Sequence, residues 1–170
     1  MTRILVVLLA ILVLPSCSTL PKGVAHTPLQ QDYWHGYVDW VRGFSIEAPG
    51  AFTITPAGYI TAGVITPQAY TVERGTLRFS VVAVERRRSD ERSAYEMAQQ
   101  NGFDLADWDR IDGTLPTYQR HVYLDGRMYR QRLVFSRRMV YELLVSGPAD
   151  VFPDFAARRF FDSFVVMVKT

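Results

Sequence analysis

The side chains able to do chemistry are few and scattered along this 170-residue chain. His26, His35 and His121 are the histidines, and none has H-E-x-x-H or comparable spacing that would bring two imidazoles to one metal ion. No G-x-S-x-G elbow presents a serine, and no glycine-rich loop is built to cradle a phosphate. Four carboxylates crowd the stretch DLADWDRIDG: Asp104, Asp107, Asp109 and Asp112. Oxygen ligands suit Ca²⁺, but the spacing is not that of an EF-hand loop and no glutamate closes it. The stretch therefore reads first as a solvated acidic connection, with Asp107, Asp109 and Asp112 as weak calcium candidates. ERRRSDER places Arg86, Arg87 and Arg88 at the end of a β-rich run. Three guanidiniums could hold lipid phosphates or an acidic partner. Glu85, Asp90 and Glu91 around them fit a solvated strand end better. The remaining reactive group is the thiol of Cys17, the sole cysteine. No catalytic set emerges from these residues, and none of them calls for a cofactor.

Cys17 is informative because of what precedes it. Arg3 is the one charge before eleven apolar residues, Ile4 to Leu14, after which Pro15 ends the run. This is the layout of a secretory signal peptide, residues 1–16. It is too short to span a bilayer, which takes about 20 residues. A buried N-terminal helix is the poorer alternative, since no polar face interrupts the run. Leu14-Pro15-Ser16-Cys17 resembles the bacterial lipobox, with Pro15 a mild departure from the usual small residue. In that motif cleavage falls between Ser16 and Cys17, the thiol receives a diacylglycerol, and the new amine is acylated, palmitate being typical. A thiol suits this because it is a strong nucleophile. Three chains at about 0.8 kcal/mol per buried CH₂ anchor a protein firmly. Ser18 rather than Asp after the cysteine implies the outer membrane, with the protein facing the periplasm.

The elements that would carry any site lie further on. Residues 17–32, with Pro21, Gly23 and Pro28 and no periodicity, read as a flexible tether of roughly 20 Å. Residues 33–43 form an aromatic lead-in that overlaps DYWHGYVDW, Asp32 to Trp40, with Tyr33, Trp34, Tyr37 and Trp40. These rings fit packing on one end of a core better than an interfacial belt. Residues 44–170 form the domain. FSIEAPGAFTI reads as two short strands about Ala48-Pro49-Gly50, and Thr76 to Glu85 as a strand. Ser89 to Gln100 has a capping serine and an apolar stripe and reads as a helix. Asp125-Gly126 between two alternating runs signals a hairpin that sets Leu124 opposite Arg127, Val122 opposite Tyr129 and Arg120 opposite Gln131. A further turn at Arg137-Arg138 or Ser136-Arg137 leads into MVYELLVSG. Depending on which of these turns forms, the meander sets Arg120 and Glu142 facing each other across Gln131, with Arg130 and Arg132 on the face opposite Tyr129 and Gln131. A closing helix from Pro153 to about Phe164 should bury Phe152, Phe155, Ala156, Phe160 and Phe164. Aromatics at 13% of the residues supply enough bulk for a core without disulfides, which one cysteine could not form within the chain. A net charge of +2 argues against nucleic acid as a partner.

This succession resembles the PsbP/Mog-like superfamily, which includes bacterial lipoproteins of the DcrB type. The resemblance spans roughly Phe44 to Val166. It rests on FSIEAPGAFTI, on YELLVSG, and most specifically on Phe160-Phe161-Asp162-Ser163-Phe164 after a strand ending in Gly147. It implies an α+β fold: an antiparallel β-sheet with helices packed on its faces, an α/β/α sandwich. It transfers no catalytic residue. The expectation is a membrane-anchored, periplasm-facing lipoprotein that acts without catalysis as a binding or assembly factor for an envelope protein. The alternative is an envelope hydrolase or a carrier of small apolar ligands. Metabolic labelling with a fatty acid should mark the wild type, and Cys17→Ala should lose both the label and the membrane fraction. Full membrane association of the alanine variant would show that lipid is not the anchor.

Overall fold

The computed structural model describes residues 34–57, 67–86 and 104–167, together with Glu96 and Ala98. Two antiparallel sheets and a helix enclose the main core. The large sheet has the order β3-β4-β5-β9-β8-β7-β6, with β3 at Thr53–Pro56, β4 at Gln68–Arg74, β5 at Leu77–Glu85, β6 at Asp109–Ile111, β7 at Thr117–Leu124, β8 at Arg127–Phe135 and β9 at Met139–Pro148. The small sheet has the order β1-β2-β10, with β1 at His35–Asp39, β2 at Phe44–Ala48 and β10 at Val165–Val166. Helix α1 spans Asp154–Asp162.

The meander forms as its turn residues require. Asp125 and Gly126 both take positive φ, 50° and 71°, as a two-residue turn matched to strand twist demands. The register pairs Leu124 with Arg127, Val122 with Tyr129 and Arg120 with Gln131. Arg137-Arg138 makes the next turn, held by the Ser136 amide donating to the Met139 carbonyl at 2.9 Å and the Met139 amide to Ser136 Oγ at 2.9 Å. The pairing of β5 with β9 joins segments some sixty residues apart in the chain.

Alternation sorts the large sheet into two faces. Tyr70, Val72, Phe79, Val81, Ala83, Tyr141, Leu143 and Val145 point to the main core, where Phe44, Ile46 and Ala48 of β2 and Ala156, Ala157, Phe160 and Phe161 of α1 cover them. Phe44 sits at the centre, with ring centroids 5.1 Å from Tyr70, 5.7 Å from Tyr141 and 5.7 Å from Phe164. Such edge-to-face and offset contacts add to the area term. The small sheet and α1 are themselves tied: the Glu47 amide donates to Ser163 Oγ at 2.9 Å, and Arg159 Nε donates to Glu47 Oε2 at 2.7 Å. On the opposite face of the large sheet, Ala98, Leu105 and Trp108 pack on Leu133 and Phe135 as a smaller cluster.

Three expectations change, at FSIEAPGAFTI, at Phe155 and at Trp40. FSIEAPGAFTI is not a hairpin: β2 pairs with β1 and β10, whereas β3 pairs with β4, so Ala48-Pro49-Gly50 carries the chain from one sheet to the other. Local alternation specifies strands but not their partners. Of the expected α/β/α sandwich, the described residues show a mostly antiparallel β architecture in which α1 shares one face of the large sheet with the small sheet, and the helical Ala98 lies in the cluster on the other face. Most of the helix expected from Ser89 to Gln100 lies outside the described residues; Glu96 and Ala98 are helical. Phe155 is 59% exposed, because a stripe centred on Ala156, Ala157, Phe160 and Phe161 turns position 155 almost directly away from the core. The aromatic lead-in divides. Trp34 packs edge-on against Phe79 and Tyr37 joins Phe44, Phe52 and Tyr70, but Trp40 is exposed.

Phe160 is fully buried, with its ring centroid 5.5 Å from that of Phe79. Phe160→Ala should cost about 3–5 kcal/mol, and Phe155→Ala should stay within about 0.5 kcal/mol of wild type, both read by urea denaturation. Equal costs would mean α1 is rotated from the orientation described.

Candidate functional site

The face of the large sheet opposite α1 carries the polar groups that the fold does not consume. Pairing of Arg78 with Ser146 and of Tyr129 with Ser146 places three side chains from β5, β9 and β8 in one row. Pairing of β4 with β5 sets Glu73 beside Arg78. The β4–β5 turn at Gly75-Thr76 and Arg127 at the start of β8 complete the rim. Together they line an open concavity of about 370 Å³, floored by Leu144 and Ser146 and edged by Glu73, Arg78, Arg127 and Tyr129. Arg127 Nη2 donates to the Thr76 carbonyl at 3.3 Å, which steadies that guanidinium at the mouth. Two guanidiniums, a phenol and a hydroxyl around a shallow hollow can grip a carboxylate or another anion by charge-assisted hydrogen bonds. The hollow has no histidine or cysteine in its lining.

Along the same face runs a polar ladder. Arg120 Nε donates to Gln131 Oε1 at 2.6 Å, and Gln131 Nε2 donates to Glu142 Oε1 at 3.1 Å. The Arg120 guanidinium lies over the Trp108 ring, 4.4 Å from its centroid. Arg120 and Glu142 thus meet through Gln131, in the register that the Arg137-Arg138 turn sets between β8 and β9. Burial pushes the Glu142 carboxyl above its ordinary value, against the opposing influence of the Gln131 hydrogen bond and the Arg120 charge.

Arg130 and Arg132 project from the opposite face and are structural. Arg132 Nη1 donates to the Phe161 carbonyl at 2.9 Å, its Nε and Nη2 reach Gln119 Oε1 at 3.1 and 3.0 Å, and its guanidinium covers the Phe161 ring. Arg130 pairs with Asp154 at the start of α1. Both clamp the helix to the sheet.

The other sequence candidates are dispersed. Arg86 follows β5, donating Nη1 to the Ser136 carbonyl at 2.9 Å, while Arg87 and Arg88 lie outside the described residues, as do Ser16, Cys17 and His26. His35 opens β1. His121 stands on β7, where desolvation and then the Arg130 charge push it below the ordinary imidazole value. In the acidic stretch, Asp104 caps a short 3₁₀ turn, accepting from the Ala106 amide at 3.0 Å. Asp107 ends that turn, Asp109 pairs with Gln119 in β6 and Asp112 follows β6. Among the described residues no three His, Cys, Asp or Glu side chains gather as a metal site, so Asp107, Asp109 and Asp112 are not brought together. Glu73, Arg78, Arg127, Tyr129 and Ser146 were not foreseen as a group. The alternation of polar residues on each strand was visible, but the β5–β9 register that unites them is not a local property.

No family model and no curated protein sequence matches the chain. Among solved structures it is similar to the solution structure of cyanobacterial PsbP (CyanoP) from Synechocystis sp. PCC 6803. The TM-score is 0.51 at 15% identity, over 82% of this chain and 96% of that one. The fold is PsbP-like.

The raised Glu142 carboxyl sets a pH dependence. A carboxyl whose native pKa exceeds its unfolded one contributes stability that is full below the unfolded value, about 4.3, and is lost as pH rises through the native value. Glu142→Gln, which keeps an acceptor for Gln131, should melt with the wild type near pH 4 and above it at pH 7–8. A lower melting temperature for the glutamine variant at pH 7 would show that attraction to Arg120 outweighs burial.

Proposed function

We propose that this chain is a lipid-anchored accessory protein of the bacterial cell envelope, of the DcrB lipoprotein type, that binds an acidic segment of an envelope partner without catalysing a reaction. The observation that carries the binding role is the hollow edged by Arg78, Arg127, Tyr129 and Glu73. Its openness to solvent and its two guanidiniums suit a docked carboxylate-bearing side chain or chain terminus. A carrier of small apolar ligands would enclose its cargo, and this floor offers only Leu144 and Leu77 as apolar lining. The PsbP-like fold supports an accessory role by analogy only. The anchor reading rests on Leu14-Pro15-Ser16-Cys17. Lipid on Cys17 would hold the domain at the periplasmic face of the outer membrane, with residues 17–32 as the spacer.

A photo-crosslinking residue in place of Tyr129, in the full-length chain in its own membrane, tests this reading. It should yield one predominant protein adduct, which Arg78→Glu/Arg127→Glu should abolish while the melting temperature and membrane fraction are kept. The adduct should weaken as salt is raised, since the contact is partly exposed. An adduct that survives charge reversal would contradict an electrostatic grip at this hollow.

A further inference from the structure

The β1–β2 turn, Trp40 to Gly43, has no part in the hollow, yet hydrogen bonds from several elements brace it. Gly43 takes φ +68° and its amide donates to the Asp39 carbonyl at 2.8 Å. The Arg42 amide donates to Asp39 Oδ1 at 2.8 Å, and the buried Tyr70 hydroxyl donates to Asp39 Oδ2. The buried Tyr141 hydroxyl donates to the Arg42 carbonyl at 2.6 Å, and the Met167 amide donates to the Gly43 carbonyl at 2.8 Å. All of this holds in place a tip whose two large apolar side chains face solvent, Trp40 at 72% and Val41 at 82% exposure. A folded chain has nothing to gain from presenting a tryptophan this way.

The same end of the large sheet is basic. Tyr141, which contacts the turn, lies three residues after Arg138 on β9, about 10 Å along a strand. The Arg86 amide donates to the Arg138 carbonyl at 2.7 Å, so Arg86 and the Arg137-Arg138 turn lie together at that end of the sheet. Arg137 and Arg138 are exposed there, with Arg138 3.8 Å from Glu85, while the Arg42 side chain is mostly buried and lies 3.7 Å from Asp39. An indole beside an aliphatic side chain, with exposed arginines at the same end of the sheet, is the combination that favours a lipid headgroup layer, where the ring sits at the apolar boundary and guanidiniums meet phosphate.

We infer that the β1–β2 turn seats on an anionic lipid surface, with Trp40 and Val41 entering the interface and the exposed Arg137 and Arg138 meeting headgroup phosphates. This rests on the lipid-anchor reading for its strength. β1 starts about 17 Å along the strand from the turn, and the tether expected from the sequence over residues 17–32 would span roughly 20 Å as a coil. The anchor and the tip therefore reach one plane. A two-residue tip binds weakly by itself, but a short flexible tether supplies an effective concentration of about millimolar, enough for a millimolar contact to be occupied for much of the time. Seated this way, the domain has a fixed orientation. The rim of Arg78 and Arg127, at the opposite ends of β5 and β8, points away from the bilayer toward a periplasmic partner.

The test uses the full processed protein reconstituted in phosphatidylcholine vesicles with or without phosphatidylglycerol, the chains brominated to quench tryptophan. Flotation reads the anchor, and quenching with an emission blue shift reads the tip. The wild type should be quenched and blue-shifted in the anionic vesicles. Trp40→Ala should lose this response, since Trp34 and Trp108 are packed on the domain, and should float as before. Arg137→Glu/Arg138→Glu should weaken quenching severalfold in anionic vesicles and leave neutral ones unchanged. Flotation without Trp40-dependent quenching overturns the inference and leaves the anchor standing. Loss of flotation with quenching preserved at high vesicle concentration sinks the anchor and supports the tip. A Trp40-dependent protein crosslink without quenching would make the turn a protein-docking element and the inference wrong.

Discussion

Two buried phenols hold this structure to its shape. Tyr70 and Tyr141 place their rings in the centre of the main core, 0% and 1% exposed, and neither hydroxyl can reach bulk water. A buried hydroxyl without a partner costs about 1–3 kcal/mol, so each must find an acceptor, and both find it in the turn that joins β1 to β2: the Asp39 carboxylate and the Arg42 carbonyl. The small sheet is thereby fastened to the large one by polar bonds as well as by the rings around Phe44. The electrostatic signature is mutual. Burial, and then the Asp39 hydrogen bond and charge, push Tyr70 well above the ordinary phenol range, and burial pushes Tyr141 up to about 12. Burial would raise the Asp39 carboxyl, but bonds from Tyr70 and the Arg42 amide, with the Arg42 charge, hold it below its ordinary value.

From this fastening follows a division of labour between the two faces of the large sheet. The face toward Tyr70 and Tyr141 is used up in packing, and even its arginines, Arg130 and Arg132, serve to clamp α1. The other face is half covered by Ala98, Leu105 and Trp108 and half left polar, with the Arg120–Gln131–Glu142 ladder leading toward the Arg78–Arg127 hollow. A sheet sealed on one side and open on the other lets the open side vary in chemistry without cost to the core. That is consistent with a fold shared with cyanobacterial PsbP at 15% identity.

Much of this was legible where the signal is local. Asp125-Gly126 specifies its own turn, and with it the register that places Arg120 opposite Gln131. The polar ladder follows once the Arg137-Arg138 turn sets the register of β9 on β8. The closing helix was legible from its phenylalanines, but Phe155 was assigned to the wrong side because an apolar residue on a helix is not obliged to face the core. What depends on distant pairing was not legible. Phe44–Ala48 and Thr53–Pro56 look like the arms of one hairpin, and only the competition among all strands sends them to different sheets. The hollow was hidden for the same reason, since Arg78, Tyr129 and Ser146 meet only once β5 finds β9. Of the four lead-in aromatics, Trp34 and Tyr37 face the core as their spacing indicates. Trp40 faces outward because the turn that Asp39 closes turns its side chain away.

The central claim is that Tyr70 and Tyr141 fix the β1–β2 turn and so the placement of Trp40. Native-state hydrogen exchange in Tyr70→Phe and Tyr141→Phe measures it directly. Each variant should lose protection at the Arg42 and Gly43 amides, with the β7–β8 ladder amides exchanging as in the wild type. Unchanged protection at Arg42 and Gly43, or an equal loss spread over β7 and β8, would contradict it.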